Sequence, residues 1–324
     1  MILRLLLSSV FILLLVFSQI ANANQNRKLT AEKIFDPARV IEVDIEVSES
    51  DWDKIRMQGR EFVEAFSKQP PQKPFKYVKA NVTIDGVKIE NVGLRKKGFL
   101  GSLDENRPSL KIKFSEYQQQ APIEGLDRLT LNNNKQDPAG LSQYLTYRLF
   151  NESGTFASRC NLSRVMVNGQ YLGIYSNVES VKPLMLKRGF KDGSGRLYEG
   201  TVADFYPDFV EKFEKKDDDF DFEPIKSVAA VLAEEELNPE ELGKLVDIDA
   251  FMTFWAVESL VGFWDGYTHN QNNFFVYQNP TNSLLYFIPW GADSTFTDRM
   301  PLPPFIIRPR FVHTKSLLAN RLYQ

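Results

Sequence analysis

Trp264-Asp265-Gly266-Tyr267-Thr268-His269-Asn270-Gln271-Asn272-Asn273 is followed by an apolar hairpin pattern and then by Pro289-Trp290-Gly291-Ala292-Asp293. The segment before it, 248–263, is long and apolar and reads as a helix capped by Asp247 or Asp249. Residues 273–277 and 284–289 read as two strands around the turn Thr281-Asn282. Asp265 is therefore expected just past a helix end and Asp293 just past a buried strand. Loops held by rigid elements are where reactive side chains concentrate.

Helix, loop, hairpin and second Asp, in that order, resemble the back half of a protein kinase, where an Asp and an Asn five positions later lie on the catalytic loop. The spacing D-x-x-x-x-N is common by chance, and its placement adds the specificity. The resemblance makes Asp265 the base or orienter, Asn270 a metal ligand and Asp293 the principal metal ligand. The metal it implies is Mg²⁺, with Mn²⁺ as a substitute, acting on ATP phosphates.

Towards the N-terminus the pattern changes to strands. Residues 40–47 alternate apolar and acidic residues, and Ser48 opens a helix with acids in its first turn. Residues 77–84 and 87–94 flank Asp85-Gly86, a hairpin signal. Residues 109–114 alternate again, with Lys111 and Lys113 on one face and Leu110 and Ile112 on the other. A short strand at 129–131 runs into Asn132-Asn133-Asn134, and Asp137-Pro138 is expected to start a helix reaching about Phe150. Leu141, Tyr144, Leu145 and Arg148 share one face of it. Residues 162–167 and 171–178 flank Asn168-Gly169, a second hairpin. Helices are expected at 181–188, 227–235 and 239–246, with a short strand at 197–199 and a charged excursion over 211–221. Strands in front and mostly helices behind make an α+β chain.

If phosphates bind, the front half must supply lysine. Lys111 and Lys113 are candidates on a central strand after a turn containing Gly98 and Gly101, with no G-x-G-x-x-G and no Walker A motif.

At this point the chain resembles the CotH (spore coat protein H) kinase family over about residues 36–322. The motifs are Arg95-Lys96-Lys97-Gly98 before the basic strand 109–114, the L-x-L-N-N segment 129–133, and Asn168-Gly169-Gln170-Tyr171-Leu172-Gly173-Ile174-Tyr175 with Glu179 shortly after. Asp265, His269, Asn270, Pro289 and Trp290 complete the set. The resemblance implies an atypical protein-kinase-like bilobal fold, with a sheet-rich N-lobe at about 36–180 and a mainly helical C-lobe at about 181–324. It also implies a cofactor-binding set of Lys97, Lys111, Lys113 and Glu179, the last at the hinge. Two positions depart from the family pattern. Gly291 stands where relatives often carry an acid, and Gln143 where a helix Glu often faces the phosphate lysine.

The remaining composition narrows the class. The 324 residues carry a formal net charge of −3, with 43% hydrophobic and 25% charged residues. That is ordinary for a folded domain and unlike the basic footprint of a nucleic-acid binder. One cysteine, Cys160, excludes an internal disulfide and a cysteine metal site, and two histidines exclude a His-rich zinc site, leaving oxygen ligands. The run Asp217-Asp218-Asp219 lacks the EF-hand pattern and reads as a solvated loop. Met1–Arg4, the apolar stretch 5–20 and Ala21-Asn22-Ala23 read as a secretory signal peptide over 1–23. The mature chain, 24–324, is then expected outside the cytoplasm (periplasmic, extracellular or at the cell surface), free of the membrane after cleavage. The last residues, 317–322, are an unfinished helical pattern that suggests truncation. The functional expectation is an exported, Mg-dependent kinase moving the ATP γ-phosphate to Ser or Thr of secreted or coat proteins. The alternatives are an inactive kinase-like binding, coat-assembly or adhesion module, and use of the same site for adenylylation.

Overall fold

A computed structural model describes residues 28–60, 74–297 and 312–324. The expected signal peptide lies outside the described residues. Among those described, no helix is long and apolar enough to cross a membrane.

Seven strands close into a barrel: β1 (Val40–Val47), β2 (Val78–Ile84), β3 (Val87–Lys97), β4 (Ser109–Lys113), β5 (Arg128–Asn132), β6 (Cys160–Val167) and β7 (Gln170–Val178). Their order is β1-β2-β3-β4-β5-β7-β6. The ring closes through a parallel ladder in which Val40 faces Leu162 and Ile45 faces Val167. Alternation dictates what fills it. Leu110 and Ile112 are fully buried among Ile41, Val43, Leu94 and Leu129, while Lys111 and Lys113 stand on the outer face. Two hairpins turn where sequence demanded it. Asn168 and Gly169 take φ of 49° and 78°, the left-handed pair that a type I′ turn requires. Two short helices accompany the barrel, α1 (Ala31–Ile34) and α2 (Glu49–Arg56), the latter capped by Ser48 Oγ accepting from Asp51 N at 3.2 Å.

Helix α3 (Ser142–Glu152) interrupts the barrel sequence between β5 and β6 and packs outside it. It starts later than Asp137-Pro138 suggested. Gly140 adopts a φ of +68°, which breaks the helix, and Asp137 instead accepts hydrogen bonds from Ala139 N and Ser142 N. The face carrying Leu141 and Leu145 is the outward one, whereas Gln143, Thr146, Tyr147 and Phe150 are buried.

After β7 come α4 (Pro183–Phe190), β8 (Leu197–Gly200), β9 (Glu214–Lys215), α5 (Glu223–Ala233), α6 (Pro239–Gly243), α7 (Ile248–Leu260), α8 (Tyr267–Asn270), β10 (Phe274–Gln278), β11 (Leu285–Pro289) and α9 (Leu317–Tyr323). The second sheet runs β11-β10-β8-β9. The charged excursion is thus partly structured: Phe213 is fully buried and Glu214 pairs with Glu199. A second core joins α3, α5, α7 and the β10–β11 hairpin. Its centre is aromatic, with Phe251 4.8 Å from Phe287 and Tyr267 4.5 Å from Phe274. Each fully buried ring of this size contributes about 2 kcal/mol. This packing fixes the hairpin, and the loops at its two ends, against α7.

Candidate functional site

The loop leaving α7 is built around one carboxylate. Asp265 Oδ1 accepts from Asn270 Nδ2 at 2.5 Å and Asn272 Nδ2 at 3.1 Å, and Oδ2 accepts from Asn273 Nδ2 at 2.7 Å. Asn273 Nδ2 also donates to the Asp265 carbonyl at 3.0 Å. Three amide groups therefore turn their NH₂ ends to Asp265, and among the described residues no donor reaches their amide oxygens. Among the described residues, three of the carboxylate's roughly four lone-pair sites are taken, and the open one is on Oδ2. Burial raises the Asp265 carboxyl to about 6, helped by the nearby Asp293, while the amides oppose the rise.

The loop is held from below by Glu258 on α7, which accepts from Tyr267 N, Thr268 N and Thr268 Oγ1. Burial raises this carboxyl to about 7. Buried Asp204 accepts from Tyr267 Oη and is itself raised to about 6 by burial.

Asp293 follows β11 and is only 6% exposed. Gln136 Nε2 lies 3.5 Å from its Oδ2, and the Asn132 side chain lies close enough to help lower its pKa. Burial raises its pKa and Lys97 pulls it down. Two buried carboxylates, Asp265 and Asp293, thus repel each other beside free amide oxygens. A cation between them relieves that repulsion, and oxygen donors of this kind fit Mg²⁺ or Mn²⁺. Local packing leaves no room for a side chain at Gly291. Gly291 adopts a φ of +57°, and a Cβ there would lie 2.4 Å from Asn273 Oδ1. Asn273 occupies the space that a side chain at 291 would need.

The barrel supplies the opposite wall. Arg95 faces Lys111 across β3 and β4, and Lys97 faces Ser109. Gln136 packs over Gly101, just beyond the Lys97 end of β3, and carries Asp293 to that end. Desolvation lowers the Lys97 and Lys111 pKa values, with Arg95 opposing the charge on both. Among the described residues neither lysine has a salt-bridge partner. Asp293 attracts Lys97 without closing on it, and partly buried cations outside any salt bridge suit an anionic ligand. Glu199 on β8 faces the same space and is ion-paired with Lys216.

Asp265, with Asn270 bonded to it, is thus within electrostatic reach of Asp293, Asp293 of Lys97, and Lys97 of Lys111. The structure does not bring in Lys113 or Glu179. Lys113 Nζ is 2.7 Å from Glu116. Glu179 is 1% exposed and is gripped by Arg159 and Arg188, each at 2.7 Å. Lys96, next to Lys97, points away and donates to the Arg56 carbonyl. Gln143 donates to Asn134 Oδ1 at 3.4 Å. Sequence reasoning missed the roles of Asn273, Gln136, Asn132 and Glu258. The amides read as loop formers, and Glu258 sat unremarked in an apolar helix, where a lone buried carboxylate was the available signal.

The model of the family described as CotH kinase protein matches residues 94–316. Inner spore coat protein H of Bacillus subtilis (strain 168) is 25% identical over 208 residues, covering 60% of this chain and 56% of that protein. Spore coat protein homolog 1 of Rhizopus delemar is 26% identical over 180 residues, covering 51% and 30%. Invasin CotH3 of the same organism is 25% identical over 194 residues, covering 53% and 32%. The chain therefore spans less than two thirds of the length of these relatives. With the matched region running from the end of β3 to the start of α9, and so including Asp265, Asn270, Asp293, Lys97 and Lys111, the chain belongs to the CotH kinase protein family.

Proposed function

We propose that this chain is an exported, Mg²⁺-dependent transferase with a bilobal kinase-like cleft between barrel and helical half. On this reading it moves the γ-phosphoryl group of ATP to a Ser or Thr hydroxyl of a coat or surface protein. The observation that carries the reading is the chain of neighbours from Asp265 and Asn270 through Asp293 to two desolvated lysines, Lys97 and Lys111, that are in no salt bridge among the described residues. The coat names of the bacterial and fungal relatives support the location.

Bound Mg²⁺ would offset charge on the transferred phosphates. Asp293 and the Asn270 amide oxygen are the groups to hold it, and Lys97 and Lys111 grip phosphate oxygens. Asp265 orients the acceptor hydroxyl and takes its proton on the open side of Oδ2. The hydroxyl oxygen bonds to phosphorus as the bridging P–O bond breaks, and ADP leaves.

The test is label transfer with purified chain, Mg²⁺ and a mixture of exported proteins. Label from γ-labelled ATP and none from α-labelled ATP, lost in Asp265→Ala and Asp293→Ala, supports phosphoryl transfer. Label from the α position assigns adenylylation instead. No label from either, with a folded chain, overturns the transferase reading and favours a binding module, the alternative to which Gly291 points.

A further inference from the structure

The Asp265–Asn270 turn is held by two buried carboxylates, Glu258 and Asp204, that have no cation beside them among the described residues. Glu258, on the last turn of α7, is fully buried. Its Oε1 accepts from Tyr267 N at 3.0 Å, and its Oε2 accepts from Thr268 N at 2.8 Å and Thr268 Oγ1 at 2.6 Å. Those N–H groups open α8, whose four residues end on Asn270. The approach is close enough that a Cβ on Gly266 would lie 2.4 Å from Oε1. An apolar residue at 258 would satisfy the helix and the core equally well. A carboxylate here makes sense only for what it holds, because a buried charge without a counterion is costly.

Asp204 grips the same turn from the other side. Its Oδ1 accepts from Tyr267 Oη at 2.9 Å, and its Oδ2 accepts from Leu317 N at 2.7 Å, at the start of α9. The backbone of the C-terminal segment joins in: Lys315 N and Ser316 N donate to the Thr268 carbonyl at 3.0 and 3.2 Å. The turn is thereby tied to α7 through Glu258 and to α9 through Asp204.

We infer that Glu258 and Asp204 are positioning residues that clamp the turn between Asp265 and Asn270, so that docking of the C-terminal segment at 315–317 is a condition for the geometry of the site. This rests on the transferase reading for its catalytic consequence but not for the clamp itself. Neither residue reaches the reacting atoms. Their effect passes through the backbone of Tyr267 and Thr268 to the amide of Asn270.

The experiment compares wild type with Glu258→Gln, Asp204→Asn and the gentler Thr268→Val. Two quantities are read: amide hydrogen exchange across 265–273 in the ligand-free protein, and kcat and KM for ATP. Glu258→Gln sets an NH₂ group against N–H donors. It is expected to speed exchange at 267 and 268 and to lower kcat about tenfold with little change in KM. Thr268→Val removes only the hydroxyl bond, so a smaller change in the same direction is expected from a protein that still folds. In Asp204→Asn, faster exchange should extend to the start of α9. Unchanged exchange at 267 and 268 in Glu258→Gln overturns the clamp, as does a change spread evenly over the molecule. If wild type transfers no group, the transferase reading has failed, and the exchange arm still decides on the clamp.

Discussion

Placing an acid at position 291 should not restore a missing metal ligand; it should break the site. Gly291→Asp puts a side chain on a residue at φ +57°, a conformation that costs an L-residue about 1–2 kcal/mol. The new Cβ would lie 2.4 Å from Asn273 Oδ1 and 2.8 Å from Asn273 Cγ, an overlap of the kind that costs about 1–3 kcal/mol. The two terms sum to about 2–5 kcal/mol of lost stability. Asn273 cannot step aside cheaply, because its amide holds both the Asp265 carboxylate and its carbonyl. Urea denaturation of wild type, Gly291→Asp, Asn273→Gly and the double variant measures this directly. Asn273→Gly removes the obstructing side chain and tolerates its own φ of 52°. The double variant should therefore lose less than the sum of the singles, with a coupling of at least about 1 kcal/mol. If Gly291→Asp is within about 0.5 kcal/mol of wild type, or the two changes simply add, the packing argument is wrong.

Replacing Lys111 by Met should raise ligand-free thermal stability, by removing a desolvated charge set among Arg95, Lys97 and Arg128, and should abolish any stabilisation by Mg-ATP in the same scans. Glu179→Gln should cost about 3 kcal/mol in denaturant titration, because Arg159 and Arg188 lose their shared carboxylate, and should leave the nucleotide response intact. Glu258 gives a pH prediction. Its carboxyl is raised from 4.5 to about 7, so the folded chain holds a proton that the unfolded chain has lost, and stability falls as pH rises through that window. At about 1.4 kcal/mol per unit, the stability of Glu258→Gln relative to wild type should rise by on the order of 3 kcal/mol between pH 4.5 and 8. A difference that does not vary with pH, in melting scans across that range, contradicts the assignment.

Local chemistry made much of the fold legible. Alternation placed β4 with Leu110 and Ile112 inward, and Asn168-Gly169 marked a turn whose φ values only a type I′ hairpin uses. Barrel closure was not legible, because β1 meets β6 through a parallel ladder spanning more than a hundred residues of chain, and periodicity within a strand says nothing about distant partners. Helix α3 was found but started too early, since Asp137-Pro138 imitates a helix start while Gly140 breaks it. At the site, Asp265, Asn270 and Asp293 stood out by order along the chain. Lys97 and Lys111 separated from Lys113 only when the register showed which basic side chain had found an acid. Glu179 read as a hinge residue from its place after a strand, yet its carboxylate is held by two arginines, Arg159 just before β6 and Arg188 on α4. Asn273 acquires meaning only beside Gly291, a contact between hairpin ends that sequence spacing does not encode.

Asp293, Lys97 and Lys111 are proposed to form a Mg-nucleotide site. The most direct measurement is the melting temperature of the purified chain with and without saturating Mg-ATP, beside Asp293→Ala. A ligand that binds only the folded state at a hundred times its Kd stabilises by about 2.7 kcal/mol. Wild type should show a clear upward shift and Asp293→Ala none. A folded wild-type chain that does not respond across millimolar Mg-ATP contradicts the proposed site.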